Sequence, residues 1–336
     1  MGVNPESLDK ALDQIRKSYG EESVRYASKY PDVKRVPTGI IELDALTGGG
    51  YPLGRVVHKY GGYSSGKTLT SLHLIKEAQR EGLTCAYYDL ENQFSKKWAA
   101  SVGVDTDSLL VLDGSIIEEV AEKVEALLGA VNIHIIDSLG IGVSQDELAA
   151  KVDEWRPGIS ARAWGKFVRR TNNSLNEDNM LVLVNQTRDS IGKMYATETP
   201  TGGRQIEHYS SLNLHFKKSS TLYKDLKGNL SKDGLRKDGL EDIAPSGVEL
   251  VVKCTKSRVH DPLDSARFRL EFGTGGQFDQ TWGLVRSLIF NGIVQKSGSW
   301  YELPDGNKVQ GDNGLRVAIE SDKNLAELAK KAMFDE

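Results

Sequence analysis

The chain of 336 residues has only two cysteines, four methionines and six histidines, and it carries no surplus of positive charge. Each scarcity excludes something. Cys85 and Cys254 stand alone in apolar, strand-like runs, the pattern of reduced core thiols rather than of a disulfide or a metal site. The six histidines show no spacing typical of metal ligands. With 43 basic against 47 acidic residues the formal net charge is −4, which argues against a generally cationic nucleic-acid binder but leaves room for a local basic groove. No stretch approaches the roughly 20 uninterrupted apolar residues of a membrane helix. The opening Met1-Gly2-Val3-Asn4-Pro5-Glu6 lacks the regions of a signal peptide, and Glu6 occupies the position where a myristoylation signal needs Ser or Thr. These features read as a cytoplasmic protein.

What is present is ordinary globular material, 39% hydrophobic and 27% charged, long enough for a large α/β core with smaller appendages. Leu8, Ala11, Leu12 and Ile15 form one apolar stripe on a helix that Asn4 and Pro5 would open and Gly20 would close. Such a helix cannot bury its stripe alone, so it needs the main body or another subunit. From about 34 to 270 strands and helices alternate. The strand-like runs are 55–60, 84–89, 109–112, 131–137 and 181–185, and a capping box of Ser115 and Glu118 opens one intervening helix. This order implies a mostly parallel sheet with helices on both faces. Runs at 209–216, 248–254 and 267–272 follow without helices and should extend the sheet, partly antiparallel. Residues 217–247 read as a polar, exposed hairpin or loop, and a small α+β unit begins near 271. The expected division is therefore 1–33, 34–270 and 271–336.

Gly61-Gly62-Tyr63-Ser64-Ser65-Gly66-Lys67-Thr68 fits GxxxxGK[ST] between a predicted strand and a predicted helix. In that setting backbone N–H groups and the helix N-terminus cradle phosphate oxygens. Lys67 can reach the β/γ oxygens of ATP and the Thr68 hydroxyl can ligate Mg²⁺. Asp137 ends the apolar run 131–137. Alone it would be an ordinary turn starter; beside a phosphate loop it is placed to hold the water shell of Mg²⁺. Near the end of the run 84–89 two carboxylates compete for the role of general base toward water, Glu91 and Asp89, and the spacing does not choose between them.

Further landmarks accumulate in order: Pro37-Thr38-Gly39 with Leu43-Asp44, Gly48 to Arg55, the phosphate loop, Ala78 to Gly82, Gly103-Val104-Asp105, Asp137-Ser138, Asn185 to Arg188, Thr201-Gly202-Gly203 and Ser297 to Tyr301. Together they make the chain resemble the RecA-type DNA recombinases of bacteria and phages over nearly its whole length. The resemblance implies an ATP- and Mg²⁺-dependent DNA recombinase with a RecA-type α/β core, an N-terminal helical oligomerisation segment and a C-terminal α+β unit. It places the catalytic glutamate on Glu91, the nucleotide contacts on 61–68, Thr70 and Trp98 (the latter as an adenine platform where the family usually has Tyr), and the γ-phosphate sensor on Gln186. The long segment 187–201 resembles the second DNA loop, with Arg188 for a phosphate, Met194 and Tyr195 as wedges between bases, and Gly202 and Gly203 for close backbone approach. The first DNA loop resembles about 144–158, leading to Gly158, Arg162 and Arg169; arginines seven apart share a helix face.

Lys256 and Arg258, two apart on a strand-like run, match the paired cations that reach a neighbouring subunit's ATP site. The family has two lysines there, so Arg258 departs in hydrogen-bond geometry. His208 stands where the family usually has an aromatic. Lys296 and Lys308 are the expected duplex contacts. Implied partners are single- and double-stranded DNA, further copies of the chain in a helical filament, and repressor and single-strand-binding proteins, with no membrane. Two other readings share the same core: a hexameric helicase-like motor, and a regulatory filament that promotes a repressor's self-cleavage.

Overall fold

The computed structural model describes residues 5–150, 158–189, 198–224, 230–232, 244–261 and 264–334. Contacts divide the chain into Met1–Lys34 and Arg35–Glu336. In the first unit α1 (Pro5–Tyr19) carries the expected stripe, of which Leu8 and Ile15 are 44% and 38% exposed.

The second unit opens with a ribbon of β1 (Arg35–Val36) and β2 (Tyr51–Pro52) around α2 (Ile41–Leu46). Strands and helices then alternate: β3 (Val56–Gly61), α3 (Lys67–Arg80), β4 (Cys85–Asp89), α4 (Lys96–Val102), β5 (Leu109–Asp113), α5 (Ile117–Leu127) and β6 (Ile133–Asp137). Next come α6 (Gln145–Ala149), α7 (Ile159–Ser174), β7 (Met180–Asp189), β8 (Glu198–Pro200), α8 (Arg204–Tyr209), β9 (Leu212–Lys224), β10 (Leu230–Ser231), β11 (Gly247–Ser257) and β12 (Ser265–Glu271). The main sheet has the order β12-β11-β9-β3-β7-β6-β4-β5, with β10 added to β9 and β8 to β7. From β9 to β5 every pair is parallel; β11 and β12 are antiparallel additions.

Alternate residues of each central strand face opposite ways, and each face is covered. Val57, Val182 and Val184 join Leu72 and Ile75 of α3 in one apolar cluster. Val56, Leu181 and Leu183 join Val120 of α5 and Trp164 and Phe167 of α7 in the other. The C-terminal end continues as α9 (Gln280–Phe290), an antiparallel sheet of β13 (Gln295–Ser297), β14 (Trp300–Glu302) and β15 (Lys308–Gln310), α10 (Gly311–Ser321) and α11 (Lys323–Phe334). Leu288, Tyr301, Leu315 and Ala329 form its own core.

Three expectations are corrected and one is narrowed. The helix over 117–127 has Ile116, not Ser115, at its N-cap, and Glu118 accepts a hydrogen bond from the Gln145 N–H instead of closing a capping box. Tyr209 belongs to α8 rather than to a strand. Of the two alternatives for 217–247 the described part takes the hairpin: polar though they are, 217–222 continue β9 against β11 and Tyr223 and Lys224 pair with β10, their outward side chains facing water while Leu222 is buried. The segment 187–201 is not loop throughout, since Thr187–Asp189 pair antiparallel with Glu198–Pro200.

Candidate functional site

Parallel strands bring their carboxyl ends to one edge, where ligands bind in open α/β sheets. There β3 ends at Gly61, so close to β9 that a Cβ on Gly61 would collide with the Phe216 carbonyl oxygen. The chain then turns through Ser64 and Gly66, both at positive φ (54° and 88°), into the N-terminus of α3. The Lys67 ammonium folds back on this loop, donating to the carbonyls of Gly61 (2.9 Å) and Gly62 (2.7 Å) and to Ser65 Oγ (3.2 Å). Burial lowers its pKa, while Asp137 and Glu91 act in the opposite sense.

Beneath α3 lies a second lysine that the sequence reading did not single out. Lys59 is fully buried and donates to the Lys67 carbonyl and to Ser71 Oγ, both at 2.8 Å, with Phe216 facing its ammonium at 5.3 Å. Burial brings its pKa down to about 7. The available signal was a lysine inside an otherwise strand-like run.

Thr68 Oγ1 donates to Asp137 Oδ2 at 2.7 Å, and the Tyr87 hydroxyl donates to the same oxygen at 2.9 Å. Burial raises the Asp137 pKa, against the lowering by these two bonds. A hydroxyl and one carboxylate are hard oxygen donors. Among the described residues no three His, Cys, Asp or Glu side chains cluster as a metal cage. This donor set fits Mg²⁺, which keeps several waters and leans on substrate phosphates rather than on an all-protein shell.

The two competing carboxylates part company. Asp89 is buried and spent on structure, accepting from the backbone N–H groups of Gln93 (3.2 Å) and Phe94 (2.7 Å). Glu91 faces the cleft: its Oε1 accepts from Gln186 Nε2 at 2.9 Å and from the Ser138 hydroxyl. Ser138, which also lies 3.3 Å from Gln186 Nε2, served in the sequence only as a landmark and was given no role, because a serine after an apolar strand carries no distinctive chemical signal. Thr68, Asp89, Glu91, Trp98 and Asp137 line one cleft, so what separates the two carboxylates is their hydrogen-bond partners. Trp98 is 43% exposed, and Gly276 packs so near it that a Cβ there would lie 3.1 Å from the indole. Tyr63 is 83% exposed, whereas Thr70 is fully buried with its hydroxyl donating to the Lys67 carbonyl. Thr70 is thus buried within α3, while Thr68 lines the cleft.

Residues 6–277 match the family described as RecA N-terminal domain. The chain is 34% identical over 331 residues to the Protein RecA of Ectopseudomonas oleovorans, covering 96% of this chain and 89% of that one. Over 332 residues it is 33% identical to the Protein RecA of Kineococcus radiotolerans (97% and 90% covered) and 31% identical to that of Fusobacterium nucleatum (97% and 83%). The chain belongs to the RecA family.

The positions that the RecA resemblance assigns to DNA are spread over α7, the β7–β8 ribbon with the turn after it, and the C-terminal sheet. Gly158 (φ 77°) opens α7, and Arg162 and Arg169 are exposed on it with Lys166 between them on the same face. Arg170, one residue on, is instead paired with Glu125 at 2.9 Å. Lys166 shares the face of Arg162 and Arg169 at i, i+4, i+7 spacing, and the sequence reading did not single it out. Arg188 is exposed on β7 opposite Thr199, and Gly202 and Gly203 have φ of 82° and 83°. Met194 and Tyr195, and the part of the first loop at 151–157, lie outside the described residues.

Lys256 donates to the carbonyls of Glu207 (2.6 Å), His208 (2.9 Å) and Ser210 (2.7 Å), clamping the C-terminal end of α8. Arg258 follows the end of β11, with its N–H bonded to the Ser211 carbonyl at 2.9 Å. A bulge between Cys254 and Lys256 shifts the β9–β11 register just before this pair. In the C-terminal sheet Lys296 faces the Tyr301 ring at 5.3 Å, while Lys308 is paired with Glu302 at 3.2 Å. No helix among the described residues is long and apolar enough to cross a membrane.

Proposed function

We propose that the chain is an ATP-dependent DNA recombinase, in which a triphosphate held at the carboxyl edge of the sheet sets the grip on DNA and is hydrolysed through Glu91. The observation that carries this reading is the contact of Gln186 Nε2 with Glu91 Oε1 at 2.9 Å. It joins the candidate general base to a side chain on β7, and β7 runs straight into the segment assigned to DNA.

On this reading Lys67 leaves the loop carbonyls for the β/γ oxygens, which replace three neutral acceptors by a charged one. Thr68 and Asp137 hold Mg²⁺, which neutralises charge on the phosphates. Trp98 offers a stacking face to the base. Glu91 takes the proton of the attacking water. Gln186 can donate its amide either to Glu91 or to a terminal phosphate oxygen, and the two partners give the following ribbon two settings. Cations on α7 and Arg188 meet phosphates, so binding is electrostatic and weakly selective, leaving homology to be tested by base pairing. Lys256 and Arg258 act on a neighbour's nucleotide within a helical filament. For Lys256 this means trading its α8 carbonyls for phosphate oxygens. Lys296 and Lys308 are assigned to duplex capture.

The named relatives are RecA proteins, which speaks for a recombinase over a helicase-like motor or a filament with only a regulatory role. The test is single-strand binding at matched salt with no nucleotide, with ADP and with a non-hydrolysable ATP analogue. Tighter binding with the analogue is expected. Equal affinity in all three would overturn the proposal.

A further inference from the structure

The face of the sheet that carries the α5/α7 core changes character at its carboxyl edge. Val56, Leu181 and Leu183 are apolar, but the next residues on the same side are His58, Tyr60 and Asn185, joined by Asn213 and His215 of β9. Here the sheet is covered by polar partners. His58, Tyr60 and His215 stack in a row, with centroids 5.1 and 4.7 Å apart and planes within 25° and 13° of parallel. The Tyr60 hydroxyl is anchored 3.0 Å from Thr255 Oγ1.

The row holds β8, the strand by which the chain returns from the segment assigned to DNA. His215 Nε2 lies 2.7 Å from Glu198 Oε2 at the start of β8, with Lys217 Nζ 3.7 Å from the same oxygen. At the other end the Thr201 N–H bonds the Gln186 carbonyl at 3.0 Å, and Asn185 Nδ2 donates to the Thr201 carbonyl at 2.8 Å. The same Asn185 amide lies 3.2 Å from His58 Nε2. Glu198 is thus tied to an imidazole that leans on Tyr60, and Tyr60 immediately precedes the first glycine of the phosphate loop. Burial keeps His215 below its usual pKa, so the ring is neutral near pH 7 and holds the carboxylate through an Nε2–H donor.

We infer that His215 is a positioning residue that fixes β8 against the phosphate-loop strand, so that the nucleotide state and the DNA-bound state of the 187–201 segment are read together. This inference rests on the function proposed above, and adds to it a second tie between the two sites, independent of Gln186. Loss of the tie loosens the coupling while leaving the nucleotide contacts in place.

The test compares His215→Ala and His215→Gln with the unsubstituted chain, each checked for folding by thermal melting. The readout is the ratio of oligothymidylate affinities with a non-hydrolysable ATP analogue and with ADP, beside DNA-free ATPase. His215→Ala is expected to shrink that ratio about tenfold, the effect of one hydrogen bond to a charged group, with DNA-free turnover within about twofold. His215→Gln, whose amide N–H reaches the place of Nε2, is expected to keep the ratio. Glu198→Ala approaches the same bond from the other side, and the double variant should fall no further than either single one. An unchanged ratio in His215→Ala overturns the inference. So does a loss in His215→Gln as large as in His215→Ala, or additive losses in the double variant. If the unsubstituted chain shows no dependence on nucleotide, the proposed function falls and this inference with it.

Discussion

Replacing Glu42 by glutamine should flatten the pH dependence of folding stability between about pH 5 and 8. Glu42 sits on α2 with its carboxyl buried, neither oxygen has a hydrogen-bond partner, and Oε1 packs against Gly283 of α9. Burial, with Asp279 and Asp44 nearby, outweighs the attraction of Arg286 and pushes its pKa up from 4.5 to about 8. The folded chain therefore binds this proton more tightly than the unfolded one. The resulting stability is fully present below pH 4.5 and is lost as pH rises toward about 8. One proton changes stability by about 1.36 kcal/mol per pH unit, so the whole window spans at most about 5 kcal/mol. The amide introduced by Glu42→Gln cannot ionise. Whatever constant offset that amide brings, the difference between variant and parent should grow in the variant's favour with a slope approaching about 1.4 kcal/mol per unit near neutrality. Asp44, which burial raises to about 6, titrates in both proteins and largely cancels in the difference. Urea titrations at half-unit steps from about pH 5 to 9 measure this directly. Parallel stability curves for the two proteins would refute the reasoning.

Lys67→Ala should lower DNA-stimulated ATPase by about 10²–10³-fold, and undiminished turnover in a phosphate-release assay would discard its assignment. Gly61→Ala forces a Cβ onto the Phe216 carbonyl and should cost about 1–3 kcal/mol in urea titration; a silent substitution would mean that β3 and β9 are not so tightly apposed. Lys166→Ala should weaken single-strand binding for all sequences alike and reduce the slope of log K against log salt by about 0.7, while an unchanged slope removes Lys166 from the interface. Lys256→Ala and Glu91→Gln proteins, each inactive, should recover some hydrolysis when mixed, because the intact cation of one meets the intact base of the other. No recovery in demonstrably mixed filaments counts against action across subunits.

Local chemistry was enough to write down the alternation of strands and helices, the phosphate loop and the carboxylate at Asp137. Each depends on periodicity or on short spacing within one segment: Lys67 and Thr68 are adjacent, and Val56 to Gly61 must precede them. The choice between Glu91 and Asp89 did not depend on local chemistry. Both follow the same strand, and only the folded chain shows the Asp89 oxygens occupied by the N–H groups of Gln93 and Phe94 while Glu91 meets Gln186, 95 residues later. The choice between hairpin and loop for 217–224 stayed open for a related reason, since a polar run becomes a strand when a neighbour such as β11 offers its backbone groups, and that neighbour is distant in sequence. Thr70 and Thr68 are indistinguishable as residue types, but two positions apart on α3 they face the core and the cleft respectively. Lys59 and Glu42, which are buried, and His215, which is half-buried, draw their chemistry from surroundings assembled out of several elements. Sequence alone determined which groups the chain carries and where its segments turn; tertiary packing decided which of those groups lose water, and hence which are charged, which are paired and which face the ligand.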